Sequence, residues 1–299
     1  MNILIVGTGA LATLFAARLS QAGHYLTMLG SWQHGLDALR EHGARLIDST
    51  GHEHQFKIHA TDDPRECSGA KFALVLVKAW QTERAAEQLS QCLADDGLAV
   101  TIQNGLGNYE TLTRSLGLGR VALGTTTTGA TLLGPGLAKS GGEGIISIQR
   151  DQALGPLEAG LKSAGFNVQI VDDARSLLWG KLVINAAINP LTALLKVSNG
   201  ELLSHPSARE LMHRLALEVS NVARAEGIPL PFEDPVLAVE EVARKTSANH
   251  SSMLQDVLRH APTEVDEING AVITAAKKHN LDVPVNWACW NLVKALTNQ

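Results

Sequence analysis

A chain of 299 residues has room for two domains, each burying its own core. Its 25 Lys+Arg against 30 Asp+Glu leave a formal charge of -5, so a nucleic-acid partner is not expected. With 45% hydrophobic and 18% charged residues, it is neither a disordered nor a fibrous protein.

The first apolar stretch, residues 3–17, lacks a basic flank and is interrupted by Gly7, Thr8 and Gly9, so it reads as a buried strand running into a helix rather than a signal peptide. Elsewhere no uninterrupted apolar run reaches the roughly 18 residues of a membrane span, and no membrane partner is expected. Cys67, Cys92 and Cys289 are odd in number and widely spaced, a pattern of neither disulfides nor zinc. A reducing, cytoplasmic setting without a metal is the expectation.

In chain order, strands are expected at Asn2–Val6, Tyr25–Leu29, 72–77 and 98–102, with helices after the first, third and fourth and a weaker helix at 35–42. This alternation describes a parallel sheet covered by helices, and the continuous apolar run at 72–77 belongs at its centre. Residues 119–148 turn Thr- and Gly-rich, as short strands and turns do. After Asp172 and Asp173 the period becomes helical, with helices at 174–195, 206–227, 234–246, 252–260, 264–280 and 286–297. The fold class is therefore α/β: an N-terminal Rossmann-like dinucleotide-binding domain over 1–171, then an all-α C-terminal domain over 172–299. No flexible linker or internal repeat separates them.

Directly after the first strand, Gly7, Thr8, Gly9, Ala10, Leu11 and Ala12 form a G-x-G-x-x-A loop that opens a helix. The first glycine permits the tight turn, the second lets a pyrophosphate approach, and Ala12 permits close packing. The strand-to-helix setting separates this match from chance glycine spacing. Where an acidic residue or an arginine would choose between NAD and NADP, after the second strand, the chain has Gly30, Ser31 and Trp32. His34 and Arg40 are the nearest cations, and Arg40 reads equally as a solvated helix residue. Lys78 and Asn104 each follow an apolar strand at the same sheet edge as Gly7, a placement that suits a shared crevice.

The segment 177–195 is almost wholly apolar except at Lys181, Asn185 and Asn189. Their i, i+4, i+8 spacing sets them in one row on a buried helix, so the row must meet either a polar cleft or other polar groups. A snorkelling lysine with two satisfied amides is the plain reading. Against it stands Pro190, which frees a carbonyl four residues back and disfavours helical geometry at Asn189. A second polar cluster runs from Asn249 through Ser251, Ser252 and Asp256 to Thr263, Glu264, Asp266, Asn269 and Gly270. In isolation its serines read as caps and Glu264 as a first-turn carboxylate. No G-x-S-x-G elbow surrounds the serines, which disfavours nucleophilic hydrolysis.

Taken together, the glycine loop, Val77-Lys-Ala-Trp-Gln81, Gln103-Asn-Gly105, Gly124-Thr-Thr-Thr127, the 181–192 row, Asn199-Gly200, the 251–256 cluster and the 263–270 cluster resemble the ketopantoate reductases (2-dehydropantoate 2-reductases). The resemblance runs in order along nearly the whole chain. It implies NADPH-dependent reduction of 2-dehydropantoate to (R)-pantoate, a step toward pantothenate, with Lys181 as proton donor. It further implies that Asn104, Asn185, Asn189, Asn199, Asn249 and Ser252 attend the substrate. Lys78, Asn104, Ala130 and Glu264 would join the glycine loop at the cofactor. The arginine that binds the 2'-phosphate in the family is missing at 30–32, so NADH is an expected alternative. The expected partner is a small 2-keto acid, with a homodimer left open. Rival readings are a reductase of another 2-keto acid, a β-hydroxyacid dehydrogenase and a non-catalytic dinucleotide sensor. The last would not need Lys181 together with its asparagines.

Overall fold

Alternation along β1 (Asn2–Val6) divides the first core in two: Ile3 and Ile5 enter one apolar cluster and Leu4 and Val6 the other. A strand so divided must be covered on both faces. In the computed structural model, which describes residues 1–48 and 50–298, the chain forms two compact units. One comprises residues 1–103 and 108–174, the other 104–107 and 175–299.

The first unit contains, after β1, α1 (Ala10–Gln21), β2 (Tyr25–Leu29), α2 (Gln33–His42), β3 (Ala44–Ile47), β4 (Glu53–Phe56), β5 (His59–Thr61) and β6 (Ala70–Val75). It continues with α3 (Thr82–Cys92), β7 (Leu93–Thr101), α4 (Asn108–Leu116), β8 (Val121–Thr126), β9 (Ala130–Gly134), β10 (Leu137–Ser140), β11 (Ile145–Gln149), α5 (Gly155–Ser163) and β12 (Asn167–Val171). The main sheet has the order β12-β11-β8-β7-β6-β1-β2-β5; the strands from β8 through β7, β6, β1 and β2 to β5 pair in parallel, β11 runs antiparallel to β8, and β12 pairs in parallel with β11. Strand order reverses between β1 and β6, and sheets of this kind take their ligands at the carboxyl ends of the strands beside such a reversal. Leu14, Phe15 and Ala16 of α1 fill one core, and Ala85, Leu89 and Leu112 of α3 and α4 fill the other.

The strand expected at 72–77 is central, as its apolarity requires, but β6 ends at Val75, leaving Leu76 and Val77 to the loop. The Thr- and Gly-rich region folds as the short strands β8 to β11. An unforeseen second sheet, β4-β3-β10-β9, packs on α1. Its strands of four or five residues carry no long apolar run, so their pairing over long sequence separation left little trace.

The second unit contains α6 (Ala174–Leu195), α7 (Glu201–Ser204), α8 (Pro206–Ala225), α9 (Pro235–Lys245), α10 (Ser252–Leu258), α11 (Ala271–Lys278) and α12 (Pro284–Thr297). Trp179, Val183 and Ala187 of α6 pack in one core with Met212, Leu215 and Val219 of α8 and Val293 of α12. By length and composition α6 could cross a membrane, but 67% of its most apolar window is buried inside the protein, as in a core helix. Contrary to the expectation from Pro190, α6 runs unbroken through Asn189. The helix expected at 264–280 instead divides into a π turn, Asp266–Gly270, followed by α11. Trp290 Nε1 donates to Asp266 Oδ1 at 2.6 Å and Lys294 pairs with the same carboxylate, holding the wider turn against α12.

Candidate active site

In the first unit the glycine loop is wedged between two strand ends. Gly7 has φ +128°, its N–H donates to the Leu29 carbonyl at 2.8 Å, and a Cβ there would lie 3.0 Å from the Leu76 carbonyl. A side chain would therefore meet both backbone strain and fixed backbone. Gly9 differs: a Cβ would meet nothing within 4 Å, so the space beside it is open. It stands at the N-cap of α1, where no side chain caps the helix and no acidic residue occupies the first turn. Uncapped N–H groups at the positive end of a helix beside open space suit a pyrophosphate. Ala12, fully buried, brings α1 close to the sheet, while Thr8 is buried, and Ala10 and Leu11 are partly exposed in the first turn.

Lys78 follows β6, half-buried. Its loop is held by the buried Gln103, whose Nε2 donates to the Val77 carbonyl at 3.0 Å and to Thr82 Oγ1 at 2.9 Å, while its Oε1 accepts from Thr101. Ala130 opens β9 in the small sheet, partly buried against the core. At the tip of β2, Trp32 and His34 are exposed. Arg40 donates to the Ala60 carbonyl and to Asp62 Oδ1, both at 2.9 Å, with Asp37 at 3.5 Å. Its guanidinium thus serves chiefly to tie α2 to β5 and its loop.

In the second unit, Asn104 is anchored by its neighbours. Gly105 has φ +80°, and a Cβ there would stand 2.4 Å from the Glu267 carbonyl oxygen, which accepts from Leu106 N–H at 3.0 Å. So placed, Asn104 Nδ2 donates to Glu264 Oε2 at 3.1 Å. The Glu264 side chain is buried, and it precedes the π turn rather than lying in the first turn of an α-helix. Burial pulls the Lys181 ammonium down to about 8, and the Glu264 carboxylate acts in the opposite direction. Burial wins, and the lysine is left mostly charged near neutrality yet able to give up its proton.

Asn185 and Asn189 follow Lys181 by one and two turns of α6, the first half-buried and the second buried. Beyond them Thr192 Oγ1 lies 2.7 Å from Ser251 Oγ and bonds the Asn189 carbonyl at 3.0 Å. Ser251, not Ser252, caps α10, accepting from Leu254 N–H at 3.1 Å, so Ser252 sits exposed in the first turn beside the end of the Asn189 turn. Asn199 N–H donates to the carbonyl of the exposed Asn249 at 3.0 Å, and Asn199 Nδ2 donates to Thr246 Oγ1 at 2.9 Å. The remaining Oδ1 of Asn199 is buried with no partner among the described residues.

The fold therefore gathers Lys181, Glu264 and Asn104, joins Asn189 to Ser252 through Thr192 and Ser251, and joins Asn199 to Asn249. The electrostatic influence of Glu264 on Lys181 had no local sequence signal, because only tertiary packing brings the two within reach. Gln103 was legible as part of Gln103-Asn-Gly105 but not as a brace.

A glycine-loop sheet together with a helical unit that half-buries a lysine near a carboxylate and amides defines a dinucleotide-dependent oxidoreductase. Residues 3–152 match the family model described as ketopantoate reductase PanE/ApbA, and residues 173–297 match its C-terminal model. The 2-dehydropantoate 2-reductase of Halobacterium salinarum is 32% identical over 98% of both chains. A PanE/ApbA family ketopantoate reductase from Ralstonia eutropha JMP134 superposes with a TM-score of 0.92 at 32% identity, covering 100% of this chain and 99% of that one. A ternary structure of D-mandelate dehydrogenase with NADH and anilino(oxo)acetate reaches 0.94 at 25% identity, with coverage of 100% and 99%. The chain belongs to the ketopantoate reductase PanE/ApbA family.

Proposed function

We propose that the protein reduces 2-dehydropantoate to (R)-pantoate with NADPH, and that Lys181 is the proton donor. The observation that carries this reading is the single ammonium of the α6 row, half-buried within electrostatic reach of Glu264 and followed by uncharged amides. A bound nicotinamide supplies the hydride that reaches the 2-keto carbon. The oxygen on that carbon then becomes an alkoxide, and a cation within hydrogen-bond reach both stabilises it and protonates it. Asn185, Asn189 and Ser252 supply neutral donors for the substrate carboxylate, so no second cation competes with Lys181 for the developing charge. The unpartnered Asn199 Oδ1 suits a substrate hydroxyl, because a buried acceptor gains most from a donor it otherwise lacks.

Gly7 to Ala12 would hold the pyrophosphate, with Lys78, Asn104, Ala130 and Glu264 as further cofactor contacts. Because Arg40 is balanced by Asp62 and Asp37, it lends little to a 2'-phosphate, yet residues 30–32 hold no acid to repel one. We therefore propose a modest NADPH preference, on the order of tenfold in kcat/KM, and a cytoplasmic setting for its three buried thiols.

The likeness to D-mandelate dehydrogenase supports a second reading, reduction of a bulkier 2-keto acid. Steady-state assays of a 2-keto acid panel with both NADPH and NADH separate the two. The highest kcat/KM is expected for 2-dehydropantoate, and a higher value for the keto acid of mandelate would replace the first reading with the second.

A further inference from the structure

Pro190 removes one hydrogen bond from α6, because a proline at this position has no N–H to give to the carbonyl of Ala186. That carbonyl belongs to the turn between Asn185 and Asn189, and Ala186 is fully buried, so water cannot supply the missing donor. Asn269 supplies it: its Nδ2 donates to the Ala186 oxygen at 3.1 Å. Asn269 is itself fully buried, and its second Nδ2 hydrogen goes to Asn286 Oδ1 at 2.9 Å.

The orientation of this amide follows from its neighbours. The Glu218 carboxylate is an acceptor, taking the N–H groups of Val285 and Asn286 and the Asn286 Nδ2, all at 2.8–2.9 Å. Asn286 must therefore turn its Oδ1 toward Asn269. Asn269, facing two acceptors, must turn its Nδ2 toward both, although this leaves its own Oδ1 buried with no partner among the described residues. A chain of obligatory donors thus runs from the first turn of α12 to one carbonyl of α6.

We propose that Asn269 is a positioning residue for the reductase reaction: it replaces the donor that Pro190 withholds and so holds the Asn185–Asn189 turn of α6 in place for the keto acid. The inference rests on the reading that this row binds the substrate. It concerns binding of the keto acid, whereas dinucleotide binding by the glycine loop is left alone.

A double-mutant cycle tests it. In Asn269→Ala the Ala186 carbonyl is stranded, and KM for 2-dehydropantoate is expected to rise about tenfold, the usual scale for one buried hydrogen bond left unmade. The Kd for NADPH, measured by fluorescence titration, should stay within about twofold of wild type on the same scale. Pro190→Ala restores a main-chain donor to the same carbonyl, so Asn269→Ala in that background should raise KM by less than about threefold, again on that scale. If Asn269→Ala does not fold, Asn269→Ser is read in both backgrounds, with the same pattern expected. An equal rise in KM in both backgrounds, or a parallel loss of NADPH binding, overturns the proposal and leaves Asn269 a core residue. The control is Asn189→Ala. Were KM unchanged there, the substrate reading of the row would fail; a raised KM there with none in Asn269→Ala would refute only the positioning role.

Discussion

The two candidate sites are built from different materials. On the proposed reading, the glycine loop would work through main-chain N–H groups, and its residues would matter for what they lack: Gly7 has no side chain to strike Leu76, and Gly9 leaves open space at the end of α1. The α6 row would work through side chains, and its residues would matter for what surrounds them, with Lys181 shifted by burial and, in the opposite direction, by Glu264. A main-chain site is specified by neighbours in sequence, while a side-chain site is specified by neighbours in space.

Substitutions should separate the two. The largest effect is expected from Lys181→Ala, which lowers kcat by roughly 10²–10⁴-fold, the usual contribution of a general acid, while NADPH still binds. Pre-steady-state and steady-state rates with 2-dehydropantoate measure this, and a near-normal kcat would remove Lys181 from the chemistry. Gly7→Ala should do the reverse. A methyl group forced to within 3.0 Å of the Leu76 carbonyl at φ +128° should cost about 2–3 kcal/mol, divided between melting temperature and the Kd for NADPH. Unchanged melting and unchanged Kd would show that the loop tolerates a side chain.

Asn189→Ala and Ser252→Ala are expected to lower kcat/KM by about 1–3 kcal/mol each, because a polar substrate group loses its partner. Thermal unfolding should be little affected for the exposed Ser252. A normal kcat/KM in either variant takes that residue out of the site. The smallest effect is the cofactor preference, about 1.4 kcal/mol in favour of NADPH. A thousandfold preference would reveal a phosphate clamp other than Arg40, and a clear NADH preference would show that the missing arginine has switched the pocket.

The same contrast explains what could be read from the sequence. The Gly7–Ala12 loop lies between β1 and α1, so motif and structure share one short segment. The Lys181, Asn185 and Asn189 row was equally visible, because one helix carries it. The carboxylate opposite Lys181 was not, since Glu264 reaches it only through tertiary packing, and nor was the small sheet, in which β3 pairs with the distant β10. Pro190 misled in an instructive way. Its missing donor is real, but Asn269 fills the vacancy and the helix continues.

The central claim is that Lys181 gives the proton and that burial and Glu264 together set when it can. The direct test is the pH dependence of kcat/KM for reduction of 2-dehydropantoate, measured in the wild type and in Glu264→Gln. The reaction needs the ammonium, so kcat/KM should hold at low pH and fall about tenfold per pH unit above a limb near 8. Removing the carboxylate removes the influence that raises the lysine, so in Glu264→Gln the limb should move to lower pH. A limb that stays in place in Glu264→Gln, or a profile flat through pH 10 in the wild type, would contradict the assignment.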